Sequence, residues 1–150
     1  MAKHICELSF RDTLSPAMKA KLERMGDTRP ILEAGGFALM QCALGAWRDE
    51  HMRPEPWKPL APATVARKAK AGKTAMLIFE RHMQQSLRVG VPSGNQVEVG
   101  NDAFYAPFHQ FGTARMPARP FIPMRVDGRL VPAAEQKVFA AMRQKLSNVQ

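Results

Sequence analysis

Residues 97–121, VEVGNDAFYAPFHQFGTARMPARPF, constrain the fold more than any other stretch of the chain. A short alternating strand closes at Gly100, and Phe104, Tyr105, Phe108 and Phe111 then crowd around His109 and Gln110. The segment ends in Ala118-Arg119-Pro120-Phe121. Proline holds this arm extended, because its ring excludes the α region for the residue before it. The chain has eight Phe and one Tyr, and four of these nine fall within eight positions here. The segment is therefore built to be packed against something. One or two helical turns are predicted through 105–111, followed by a loop over 112–118 that orders on meeting a neighbour.

A hairpin precedes it. Residues 86–91 and 96–100 alternate, with Leu87, Val89 and Val91 on one face and Val97 and Val99 on the matching face of the second strand. Pro92-Ser93-Gly94-Asn95 supplies the turn chemistry. A first strand is predicted over 4–10, where Ile5 and Glu7 alternate with Cys6, Leu8 and Phe10. Leu14, Met18, Leu22 and Met25 recur at helical steps over 13–25, and Gly26 ends that helix. Pro30 opens a second, longer helix reaching His51, apolar on nearly its whole circumference between Ala34 and Trp47. Such a helix must be covered on all sides, within the monomer or by a neighbouring subunit. Gly35, Gly36 and Gly45 weaken it but permit close backbone approach.

Residues 52–62 contain Pro54, Pro56, Pro59 and Pro62 around Trp57 and read as a semi-rigid connector. A short basic helix over 62–71 and a helical turn at 80–85 follow. Residues 121–126 are predicted as a final edge strand flanked by Pro120 and Pro123, and Asp127-Gly128 as a turn. The last helix, 132–147, repeats Ala134, Val138, Met142 and Leu146 every four residues. Helices and strands alternate irregularly and the one adjacent strand pair is antiparallel. The fold class is therefore α+β: a small antiparallel sheet with a hairpin, packed against two or three helices, with a long apolar second helix and a C-terminal amphipathic helix.

At 150 residues the chain is read as one domain spanning 1–150, large enough to bury a core unaided. The longest nearly uncharged run, 34–47, is well short of the roughly 20 residues a membrane span needs. No apolar signal core follows Met1, so a cytoplasmic product is expected. Cys6 and Cys42 have no paired spacing and are expected to be free core thiols. Lys plus Arg number 22 against 13 Asp plus Glu, a net charge of +9. That balance concerns partners rather than fold. Basic residues are dispersed, with one concentration at Arg67, Lys68, Lys70 and Lys73 that can face nucleic acid. A solvated surface is the simpler reading.

The chemical motifs are thin. Gly72-Lys73-Thr74 resembles the end of a phosphate-binding loop, but Arg67 stands where the motif needs glycine and no strand precedes it. His109 has no serine or cysteine near it in sequence, so fixing a buried turn through its ring nitrogens is favoured over catalysis. His4, His51 and His82 have no metal-binding spacing. Carboxylates are isolated, which argues against a glycosidase or metal-dependent nuclease. No cofactor or metal is expected, and the protein is read as a non-enzyme.

Several pieces in order resemble the virion morphogenesis, or tail completion, family of tailed bacteriophages. They are Trp57-x-Pro-Leu60 with Thr64 and Lys68, then Met76-Leu77, Ser86-Leu87 and Val97-x-Val-Gly100. Tyr105-Ala106, His109-Gln110-Phe111-Gly112 and Pro117-Ala118-Arg119-Pro120-Phe121 complete the set. The match covers about 57–124; the flanking helices agree in length and position only. One departure is Phe79-Glu80-Arg81-His82, where members often have a Thr-Gly or similar pair. The resemblance implies a structural protein of the virion tail or neck, assembled in the host cytoplasm and acting in tail completion and head–tail joining. It further implies a six-fold homo-oligomeric ring, contacts with other tail or neck proteins, non-specific contact with phage DNA and no membrane partner. Arg119 and Phe121 are expected to anchor the loop's end, with Tyr105, His109 and Phe111 packed beneath it. Trp57, Gln110, Gly112 and Pro120 join them as assembly residues. A basic nucleic-acid-binding module through Arg67, Lys68, Lys70 and Lys73 is the alternative, and a small hydrolase built on His109 a third.

Overall fold

The computed structural model describes residues 16–78, 80–93 and 96–148. The strand predicted over 4–10 and Cys6 lie outside them. In chain order the elements are α1 (Pro16–Arg24), α2 (Arg29–Gly45), a 3-10 turn (Glu50–Met52), α3 (Pro62–Lys70), α4 (His82–Gln85), β1 (Leu87–Ser93), β2 (Gln96–Asn101), α5 (Ala106–Phe111) and α6 (Pro132–Ser147). This is an α+β arrangement.

Proline starts the helices and glycine stops the chain around them. Pro30, Pro62, Pro107 and Pro132 sit in the first turns of α2, α3, α5 and α6, where the missing N–H would have had no helical partner. Gly26 closes off α1 with φ 64°, a left-handed conformation that costs glycine little.

β1 and β2 pair antiparallel with Leu87 opposite Asn101 and Val89 opposite Val99. Their inward residues Leu87, Val97 and Val99 are buried, and α2 lies across the hairpin and along α6. Two glycines set that approach. A Cβ on Gly36 would lie 2.5 Å from methyls of both Val89 and Val97, and one on Gly35 would lie 2.7 Å from the Met142 sulfur. α6 contributes Ala134, Val138, Met142 and Leu146, all buried at the expected four-residue steps.

Three expectations fail. α2 stops at Gly45 rather than reaching His51, because Asp49 Oδ1 accepts from the His51 N–H at 2.9 Å and nucleates the separate 3-10 turn. Arg53 Nε takes one of the freed helix-end carbonyls, that of Ala46, at 2.7 Å. Within the monomer α2 is also not covered all round: Glu33, Phe37 and Gln41, at four-residue intervals, form an exposed stripe, so cover within the chain is incomplete. Finally, 121–126 is not a strand. A lone bridge joins Met124 to Leu130, and the Val131 N–H donates to Pro123 O at 2.9 Å. The amides that a strand would offer are already engaged by a side chain of α5. Asp127-Gly128 turns as expected, with Gly128 at φ 81° and its N–H on Arg125 O at 3.0 Å.

Cys42 is a buried free thiol whose pKa burial raises, with Lys137 opposing weakly. Among the described residues no helix is long and apolar enough to cross a membrane, and no cluster of ligands could hold a metal ion.

Candidate functional site

α5 turns one face inward and one outward. Ala106 and Gln110 are buried, whereas Phe104, Phe108 and Phe111 are 83%, 49% and 64% exposed. Inside, Gln110 acts as a substitute strand. Its Oε1 accepts from the N–H groups of Phe121 and Ile122 at 3.1 and 3.0 Å, and its Nε2 donates to Ile122 O at 3.3 Å. One side chain thus satisfies three backbone groups of an arm that proline prevents from pairing in a sheet.

The same arm is held from the connector. Arg119, 5% exposed, donates through Nε to Lys58 O at 2.8 Å and through a terminal nitrogen to Pro59 O at 2.7 Å. Trp57 Nε1 donates to Pro120 O at 2.8 Å. Behind it Trp57 meets Trp47 edge-on at 6.1 Å, Trp47 meets Phe121 at 5.3 Å, and the Arg53 guanidinium lies 4.0 Å above the Trp57 ring. Phe121 is wholly buried. The loop before the arm closes on itself: Thr113 N–H donates to Met116 O at 2.8 Å, and Met116 N–H returns to Thr113 O at 3.2 Å. Gly112 makes the exit from α5 with φ 73°, and a Cβ there would sit 2.7 Å from the Ala118 nitrogen. The loop needs no neighbour to form this turn.

His109 holds the turn through its backbone, not its ring. Its carbonyl accepts the Arg119 N–H at 2.7 Å, while its Nδ1 is buried with no hydrogen-bond partner among the described residues. Burial first, and the Arg119 guanidinium second, push its pKa below the ordinary histidine range. In the pH interval between that native value and the unfolded one, about 6.5, the unfolded chain binds a proton that the native one does not. Stability therefore falls as pH drops below neutral and levels off beneath the native pKa. His109→Gln is expected to flatten this slope, compared with the unsubstituted chain, in urea titrations between about pH 5 and 8. Identical slopes would remove His109 from the acid response.

Beside this clasp lies a cleft of about 460 Å³ between α3, α4 and the segment entering α5, reached by Tyr105 and His109. Tyr105 stacks edge-on against His109 at 6.0 Å, and its hydroxyl meets His82 Nδ1 at 3.1 Å. The lining holds no serine or cysteine, and Glu80 is its one carboxylate. Among the described residues acids do not converge there, so the geometry offers neither a serine or cysteine nucleophile nor a carboxylate pair.

The sequence model of the phage virion morphogenesis family matches residues 9–147, most of the chain. The chain belongs to that family. It is also 36% identical over 95 residues to the uncharacterized protein MJ0331 of Methanocaldococcus jannaschii, an alignment covering 58% of this chain and 70% of that one. No solved structure matches it. Its family role is structural, in phage virion assembly, and it is a virion-associated protein.

In this virion morphogenesis protein the expected assembly residues divide. Trp57, Gln110, Arg119, Pro120 and Phe121 meet in one buried clasp, with Gly112 as its hinge. Tyr105 and His109 flank it, but Phe111 faces solvent and packs beneath nothing. The basic group divides as well. Arg67 and Lys70 are exposed on α3, with Lys73 just beyond it, whereas Lys68 is buried and its ammonium donates to Ile78 O at 2.5 Å. Lys68 is therefore not presented on the exposed face of α3 with Arg67 and Lys70. The phosphate-loop resemblance also fails geometrically, since the Gly72 and Lys73 amides donate at 2.9 Å to carbonyls at the C-terminal end of α3. Trp47, Arg53 and Asn101 were missed. Asn101 donates to Met83 O at 2.6 Å and accepts from the Ala103 N–H at 2.9 Å, tying β2 to α4. The family departure at 79–82 falls where Arg81 adopts φ 58°.

Proposed function

We propose that the protein acts in tail completion and head–tail joining as a self-associating ring at the neck or tail end, contacting other tail or neck proteins. The carrying observation is the exposed row Phe104, Phe108 and Phe111, spaced four and three residues apart on and beside α5. Contiguous exposed aromatics on a folded chain favour association. The row is presented on a helix that Gln110 and the Arg119 arm fix from behind, so little conformational freedom remains to be lost on contact. Six-fold closure is the expectation from the family resemblance, and the +9 charge suits non-specific contact with DNA in the lumen.

The triple substitution Phe104→Ser, Phe108→Ser and Phe111→Ser is expected to leave the circular dichroism spectrum intact and to convert a discrete multimer into monomer in light scattering across a concentration series. It should also depress infectious particle yield. A wild-type chain that stays monomeric at every concentration, or a triple variant that assembles fully, would defeat the reading.

A further inference from the structure

Among the described residues, two non-glycine residues adopt positive φ, Leu77 at 56° and Arg81 at 58°, and both line the cleft beside Tyr105. Left-handed backbone is unfavourable for either side chain, and such strain gathers where a surface is shaped for a ligand. Neighbouring contacts hold it in place. Lys68 clamps the Ile78 carbonyl at 2.5 Å, and the Arg81 carbonyl accepts the Gln85 N–H at 3.0 Å.

The charge of the cleft is one-sided. Arg67, Lys68 and Arg81 line it with a single acid, Glu80, and no carboxylate among the described residues pairs with Arg67 or Arg81. Desolvation, then Lys73 and Arg67, lower the Lys68 pKa, which marks a cation-rich surround. Beneath the charges the surface is apolar, with Leu60, Leu77 and Met83. His109 also reaches the cleft, with its buried Nδ1 lacking a partner among the described residues.

We propose that this cleft binds an acidic, apolar peptide segment of a partner protein, its carboxylate set between Arg67 and Arg81 and an adjoining aliphatic side chain resting on Leu77 and Met83. A duplex backbone needs an open track of cations, whereas a concavity of about 460 Å³ with an apolar floor suits one or two side chains. The proposal rests on the assembly reading only in taking that partner to be another virion component.

The test uses the full chain, isotope-labelled for amide NMR, with three probes: a capped peptide of alternating leucine and glutamate, its leucine–glutamine counterpart, and a thymidine hexanucleotide. The acidic peptide is expected to shift the amides of Leu77, Arg81, Tyr105 and His109 and to bind at least about tenfold more tightly than the glutamine peptide. Arg81→Gly relieves the left-handed strain, so it should keep or raise the melting temperature while weakening acidic-peptide binding about tenfold. Arg67→Gln, on an exposed helix face, should weaken it similarly. Absence of shifts, equal binding of both peptides, or full affinity in the Arg67→Gln, Arg81→Gly double variant overturns the proposal. Preference for the hexanucleotide overturns it in favour of a phosphate site. Mass measured on the same samples separates the two readings: a monomer that binds retains the cleft and loses the ring, and a multimer that does not bind does the reverse.

Discussion

Phe121→Ala is expected to lower the unfolding free energy by about 3–5 kcal/mol, the usual cost of truncating a fully buried aromatic. The upper half of that range applies because this site cannot collapse. Phe121 lies between Pro120, whose carbonyl is tied to Trp57 at 2.8 Å, and Ile122, whose amide is tied to Gln110 at 3.0 Å. The ring that faces it, Trp47 at 5.3 Å, is itself wedged edge-on against Trp57 at 6.1 Å. A cavity left under a backbone held on both sides stays open, and its lining loses dispersion contacts outright. Phe121→Leu, which refills most of the volume, should cost less than half as much. Urea denaturation with the midpoint and slope fitted separately measures both. A loss under about 1 kcal/mol for the alanine variant would show that Phe121 is not the anchor of the arm.

Tyr105→Ala belongs on a lower rung. The sequence places Tyr105 and Phe121 in one aromatic cluster and offers no reason to rank them. The structure does: Phe121 is wholly buried and Tyr105 only half so, with its hydroxyl on His82 at 3.1 Å at the mouth of the cleft. The same limit explains Phe111. Which rings of 104–111 point inward depends on the rotation of α5, and Gln110 fixes that rotation through contacts eleven and twelve residues away. A periodicity argument treats glutamine as polar and turns it outward.

Periodic features were legible because their physics is local. The four-residue steps of α6, the alternation of Val97 and Val99 and the close approach allowed by Gly35 and Gly36 all reappear as drawn. What escaped is the set of single contacts spanning long stretches of chain. Arg119 reaches carbonyls of Lys58 and Pro59 some sixty residues away, and Trp57 reaches Pro120 over 63. The sequence supplied those residues as a family pattern without the bonds joining them. Lys68 shows the point from the other side. In a helix with Arg67, Lys68 and Lys70, nothing local marks the second cation as the inward one; the Ile78 carbonyl ten positions on decides it. The false final strand has a similar origin: an apolar, proline-flanked run at 121–126 reads as an edge strand, but the Phe121 and Ile122 amides are already occupied by Gln110.

That occupation makes Gln110→Leu the sharpest test of the clasp. Leucine nearly matches glutamine in volume, so the 4%-exposed site gains no large cavity, and the loss is one of hydrogen bonds. Two N–H donors are left inside without partners, while the Ile122 carbonyl loses its Gln110 donor and keeps the Met124 N–H at 2.7 Å. Each such orphan costs about 1–3 kcal/mol, and local relaxation should recover part, giving about 2–5 kcal/mol overall. Stability alone would not separate this from a packing defect, but amide exchange does. In the unsubstituted protein the Phe121 and Ile122 amides should exchange slowly, near the rate of the β1–β2 ladder. In the variant those two should speed up by more than the global destabilisation predicts, while the ladder amides move only with it. If they stay as protected as before, something other than Gln110 holds the arm. The rigid backing inferred for the exposed aromatic row on the far side of α5 would then have lost its physical cause.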